Sequence, residues 1–123
     1  MKVHILDDWH DTLRGLPCFD MLAGHDVTVW TDHEDDPAKL AARVQDAEVL
    51  VLFRECTKIT ADLLGRLPKL KLVSQRSVYP HIDVPACAAN GVVLSSNMHG
   101  SGANYAAAEM TLALMLASYR QIP

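Results

Sequence analysis

The chain is poor in the features that commit a sequence to one kind of chemistry. It has three cysteines, Cys18, Cys56 and Cys87, odd in number and scattered. A disulfide framework is therefore not expected, and free thiols in a cytoplasmic setting are. No charged leader followed by a short apolar stretch opens the chain, so no secretory signal is expected. No apolar run reaches the roughly 20 residues of a membrane span, so no membrane partner is expected either. The formal net charge is −4 and no basic stripe offsets it, which argues against nucleic acid as a partner. The six histidines lack a ligand spacing such as H-x-x-x-H, and no metal site is expected. No G-x-G-x-x-G follows a strand, and there is no P-loop or G-x-S-x-G. The G-x-G at His99-Gly100-Ser101-Gly102 stands alone. Repeats and low-complexity tracts are absent.

What remains is ordinary globular composition, 50% apolar and 21% charged, enough for one core without disulfides or metal. Strand patterns fall at Lys2–Leu6, Asp26–Trp30, Val49–Phe53, Leu70–Ser74 and Val92–Leu94. The run Val49–Phe53 is continuously apolar, as in a parallel strand buried on both faces. Helical patterns separate the strands. From Trp9 to Leu22, Leu13, Leu16, Phe19 and Leu22 recur every third residue, with Pro17 breaking the segment in two and Gly24 closing it. Asp36-Pro37 opens a second helix, Thr60 caps a third running to Leu67, and Asp83 with Pro85 starts a fourth running to Asn90. Alternating strands and helices imply right-handed βαβ units. The expected fold is α/β, a flavodoxin-like doubly wound parallel sheet of about five strands in the order 2-1-3-4-5, with helices on both faces.

The last segment reads as a long helix from Asn104 to Tyr119, with Asn104 as N-cap. Its apolar residues cover nearly the whole circumference, which marks a buried helix. Tyr105, Met110, Leu112, Leu114, Met115 and Leu116 need cover from another subunit, a second domain or missing chain.

In doubly wound sheets ligands bind beyond the carboxyl ends of the strands. Here that edge holds Asp7-Asp8, Phe53-Arg54-Glu55, Gln75 to His81, and Ser95 to Gly102. Asp7-Asp8 resembles the acidic pair of a phosphate-accepting receiver domain, but Phe53-Arg54 stands where such a domain needs its phosphoacceptor Asp. The pair is expected to act as loop and helix-cap acids. Arg54 and Arg76 are candidate grips for a carboxylate or phosphate, and the backbone N–H groups of residues 74–81 a candidate anion cradle. His81 is expected to be a hydrogen-bonded structural histidine.

The pieces KLKLVSQ, HIDVPACAANGVVL and AAAEMTLALMLASYRQIP, together with KVHILDD, LAGHDVTVW and VLVLFRECTKITADLLGRLPKLK, resemble the D-isomer-specific 2-hydroxyacid dehydrogenases. The resemblance implies two domains in the intact protein. Residues 1–100 would be the flavodoxin-like substrate-binding domain, residues 101–123 the interdomain and dimerisation helix, and the Rossmann NAD-binding domain would lie outside this chain. It implies substrate contacts from the loops after the third and fourth strands, here Arg54, Glu55, Ser77, Val78 and Tyr79, beside Arg76. The family's catalytic Arg, Glu and His would follow Pro123; His81 and Glu109 are not those residues. Two departures stand out. The family often has a Gly-rich loop where this chain has residues 76–79, and Ala106 stands where many relatives carry a small hydroxyl residue.

The expectation is a fragment of an NAD(P)-dependent oxidoreductase, the substrate-binding domain of a D-2-hydroxyacid dehydrogenase that passes hydride between nicotinamide and a small 2-hydroxy or 2-oxo acid. The chain alone is expected to be inactive, to bind no cofactor, and to form a homodimer through its last helix. The choice of acid and of NAD over NADP stays open. The alternative is a non-enzymatic small-acid-binding or dimerisation module that lacks the Rossmann half.

Overall fold

A computed structural model describes residues 1–97 and 105–121. Five parallel strands form one sheet: β1 (Lys2–Ile5), β2 (Asp26–Val29), β3 (Val49–Leu52), β4 (Leu72–Gln75) and β5 (Val93–Ser96). Their order is β2-β1-β3-β4-β5, the order the alternation of elements predicts. The register pairs Ile5 with Val29 and Val51, and Val51 with Ser74, so all strands end along one edge.

Three helices lie between the strands: α1 (Pro37–Arg43), α2 (Ala61–Gly65) and α3 (Val84–Ala89). Each is started by the expected cap. The Asp36 carboxylate accepts from the N–H groups of Ala38 and Lys39, the Thr60 hydroxyl from Leu63, and the Asp83 carboxylate from Ala86. Satisfying these orphan donors is worth about 1 kcal/mol per helix. All three helices pack on one face of the sheet, where Leu40, Val44, Leu63, Leu64 and Cys87 meet Leu6, Leu50, Leu52 and Val73.

The other face carries tighter helices. The segment between β1 and β2 forms two 3-10 turns, Leu13–Gly15 and Pro17–Leu22. Side chains recurring every third residue match the 3.0-residue period of a 3-10 helix and drift off a 3.6-residue one, and Pro17 divides the segment. Leu13, Phe19 and Leu22 cover Val3, Ile5, Val29 and Val49. Over β4 and β5 this face is barer: Leu72 is half-buried and Val93 is 62% exposed.

Helix α4 (Ala106–Arg120) has no buried residue. Tyr105, Met110, Leu112, Leu114, Met115 and Leu116 are all between 61% and 65% exposed. The helix begins two residues after the predicted start, with Tyr105 in the N-cap position and no side-chain cap; Asn104 lies outside the described residues. Cys18, Cys56 and Cys87 are free. Among the described residues no helix is long and apolar enough to cross a membrane.

Candidate functional site at the carboxyl edge of the sheet

Strand order reverses around β1, which sits between β2 and β3, and the acidic pair Asp7-Asp8 follows it. The two carboxylates part to opposite layers. Asp8 serves the 3-10 layer: it accepts from the Thr12 N–H (3.1 Å), the Thr12 hydroxyl (2.9 Å) and the Leu13 N–H (3.0 Å). Burial alone would raise its pKa, but these donors hold it below the usual carboxylate value. Asp8 is thus the loop-cap acid expected. Asp7 takes a left-handed backbone, φ 62°, and its carboxylate reaches the helical layer, where it meets the Thr57 hydroxyl and His33 Nδ1, each at 2.7 Å.

The loop after β3 presents Arg54 and Glu55 to solvent. Neither forms an ion pair among the described residues, so the Arg54 guanidinium keeps its full donor fork. The loop after β4 is braced from three sides. The Arg76 N–H donates to the Leu52 carbonyl (3.0 Å). The Ser77 N–H donates to Asn97 Oδ1 (2.7 Å), and the Ser77 carbonyl accepts from the Ser96 hydroxyl (2.6 Å). Gln75, only 3% exposed, donates its amide to the carbonyls of Arg76 and Val78, both at 2.9 Å. Ser77 adopts φ 75° without being glycine, so the loop reaches the left-handed conformation despite the residue type.

This bracing narrows the candidate anion cradle over residues 74–81. The N–H groups of Arg76 and Ser77 are already engaged. Those of Val78 and Tyr79 have no partner among the described residues. Tyr79 is half-buried with its side chain packed against the core, while Val78 is exposed. Between the two loops and the first 3-10 turn lies a cleft of about 550 Å³, lined by Leu13, Phe53, Ser74, Arg76, Ser95 and Asn97. Its size suits a small organic acid. Of the predicted site residues only Arg76 is among those lining this cleft; Arg54 and Glu55 follow the lining residue Phe53 in sequence, and Ser77, Val78 and Tyr79 follow Arg76.

Several residues of this edge are not identified as site residues from sequence. Gln75 is a polar residue at an inward-facing strand position, in phase with Val73, and that misfit is a readable signal. Asn97, His33 and Thr57 carry no local signal of their partners. His81 differs from expectation: neither ring nitrogen has a hydrogen-bond partner among the described residues, and burial lowers its pKa against the raising influence of Glu55. The His99–Gly102 segment lies outside the described residues. Among the described residues no group of three or more His, Cys, Asp or Glu side chains is placed to hold a metal ion.

Comparison with known proteins places this edge in context. Residues 5–119 match the family described as D-isomer specific 2-hydroxyacid dehydrogenase, catalytic domain. The chain belongs to that family. It is 41% identical over 99 residues to D-3-phosphoglycerate dehydrogenase of Mycobacterium tuberculosis, which covers 76% of this chain and 17% of that protein. The crystal structure of phosphoglycerate oxidoreductase from Vibrio cholerae matches all of this chain and 38% of its own, at 47% identity and a TM-score of 0.84. The NAD-dependent formate dehydrogenase of Staphylococcus aureus, solved in complex with NAD, shares the fold at 20% identity and a TM-score of 0.68, over 98% of this chain and 40% of that one. This member of the dehydrogenase family therefore spans well under half the length of these relatives.

Proposed function

We propose that this chain is the substrate-binding domain of an NAD(P)-dependent D-2-hydroxyacid dehydrogenase, and that its carboxyl-edge cleft holds a small 2-hydroxy or 2-oxo acid. The observation that carries this is a set of donors on the loops after the adjacent strands β3 and β4: the guanidinium groups of the exposed Arg54 and the cleft-lining Arg76, and the N–H groups of Val78 and Tyr79, none with a partner among the described residues. A carboxylate or phosphate is the natural partner of such donors. In this role Arg54 and Arg76 orient the acid, Glu55 bounds the site with negative charge, and Gln75 and Asn97 keep the loop after β4 in place.

The residues of this chain do not fit a dinucleotide. No G-x-G-x-x-G follows any of its strands, and a separate Rossmann domain would hold the nicotinamide, which supplies the hydride chemistry. We likewise infer that α4 forms the interface of a homodimer, a reading that its exposed apolar surface supports.

The test is an NMR titration of the labelled chain with D-glycerate, D-lactate and 3-phospho-D-glycerate. Amide shifts are expected in residues 53–58 and 76–79. Arg54→Gln and Arg76→Gln should each weaken binding about tenfold or more, the scale of one hydrogen bond between charged groups. Shifts confined to other residues, or NADH-dependent reduction of a 2-oxo acid by this chain alone, would overturn the assignment.

A further inference from the structure

The left-handed turn at Asp7 does more than end β1. It carries a carboxylate only 6% exposed into the gap between two loops. Asp7 Oδ1 meets His33 Nδ1 in the β2–α1 loop, and Oδ2 accepts from the Thr57 hydroxyl in the β3–α2 loop. On its far side His33 Nε2 lies 3.1 Å from Asp35 Oδ1. Both ring nitrogens therefore face carboxylates. Only the imidazolium donates to both, because a neutral ring has a single N–H.

We propose that Asp7, His33 and Thr57 form a proton-dependent clamp that positions the loop of residues 53–58, and with it Arg54 and Glu55. Asp7 is the positioning residue, Thr57 its handle on the loop, and His33 the titrating element. This deepens the proposed substrate-binding role and depends on it only for why the position of Arg54 matters.

The surroundings set the direction. Facing His33 are Asp7 from the end of β1, Glu34 and Asp35 from its own loop, and Cys56, Thr57 and Lys58 from the β3–α2 loop, around a cavity of about 250 Å³. From α1 and α2 the cavity receives the apolar Pro37, Leu40 and Leu63. Asp32 is taken up by Arg43 of α1. The hydrogen bond to Asp7, supported by Asp35, raises the His33 pKa against the lowering effect of burial. A raised folded-state pKa means the clamp is complete below the ordinary histidine value and is lost as pH rises through the folded one. Once His33 is neutral, Asp35 turns to water, since it is 98% exposed. Asp7 has no such escape and is left as a buried carboxylate without a counter-charge. Its grip on Thr57 then loosens.

Amide hydrogen exchange on the ligand-free chain tests this independently of any substrate. Protection of the buried Ile59 amide, which ends this loop by donating to the His81 carbonyl, should fall about tenfold, the scale of one hydrogen bond to a charged group, between about pH 5.5 and 8.5. The midpoint should coincide with the His33 titration read from its imidazole resonances. Amides of β3 and β4 serve as the reference. His33→Gln should abolish the slope, Thr57→Val should lower Ile59 protection at every pH, and Thr57→Ser should restore it. A flat wild-type profile, or a slope that survives in His33→Gln, overturns the clamp. If a variant also loses protection in β3 and β4, the coincidence of the two wild-type midpoints decides the matter.

Discussion

Helix α4 offers the strongest perturbation experiment, because its apolar side chains touch so little of their own chain. Leu112, Met115, Leu116 and Tyr119 fall at i, i+3, i+4 and i+7, on one face of the helix. Leu112 is 61% and Leu116 63% exposed. Burying the exposed remainder of each leucine is worth about 1–1.5 kcal/mol. A two-fold interface brings both copies of each residue into the seam. Leu112→Lys with Leu116→Lys therefore removes about 4–6 kcal/mol of pairing energy, a weakening of a thousandfold or more, and adds like charges across the seam. Because no residue of α4 is buried within the chain, the sheet should keep its stability to within about 0.5 kcal/mol. Light scattering after gel filtration should give a wild-type dimer and a variant monomer with the same urea midpoint. The variant should also lose helical ellipticity, since an isolated helix of 15 residues is marginal in water. A wild type that is monomeric at micromolar concentration, or a double variant that still pairs, refutes the assignment of α4 to the interface.

Two further outcomes follow from local geometry. Ser77→Gly should raise stability by up to about 1 kcal/mol in urea unfolding, because glycine relieves the left-handed strain at φ 75°; a destabilised variant would mean that the serine side chain holds the loop. His4 should make the fold sensitive to mild acid. Burial, opposed by Asp46, lowers its pKa, and the Trp30 indole N–H donates to its Nδ1 at 3.1 Å, so an added proton has no room there. A lowered folded-state pKa gives stability that is present above the ordinary histidine value and lost as pH falls through the folded one. Unfolding free energy should therefore drop as pH falls below about 6.5. His4→Gln should flatten that drop to the share left by His81, whose pKa burial also lowers; an unchanged slope would remove His4 from the account.

The fold was legible where one residue's neighbours in sequence are also its neighbours in space. The run from Val49 to Leu52 is apolar because both faces of β3 are covered, and Asp36, Thr60 and Asp83 cap helices that begin one residue later. Periodicity misled only where the wrong period was assumed: a repeat of three between Leu13 and Leu22 belongs to a 3-10 turn. The site was half legible. Arg54 announces itself as a charge just after the apolar β3, Arg76 as a charge at the end of β4, and Gln75 as a polar residue in phase with Val73. The contacts that shape the loops did not. Asp7 and Thr57 are 50 residues apart, and Ser77 and Asn97 are 20 apart. Such pairs meet only because β1 lies beside β3 and β4 beside β5. Once the strand order is known, each pair is a local question: which polar groups just past the ends of adjacent parallel strands can satisfy one another. At this edge the answer also limits the chemistry. The Ser77 N–H is already held by Asn97, so under the proposed function an acid would meet the two guanidinium groups and the N–H groups of Val78 and Tyr79, on a loop that turns left-handed at Ser77.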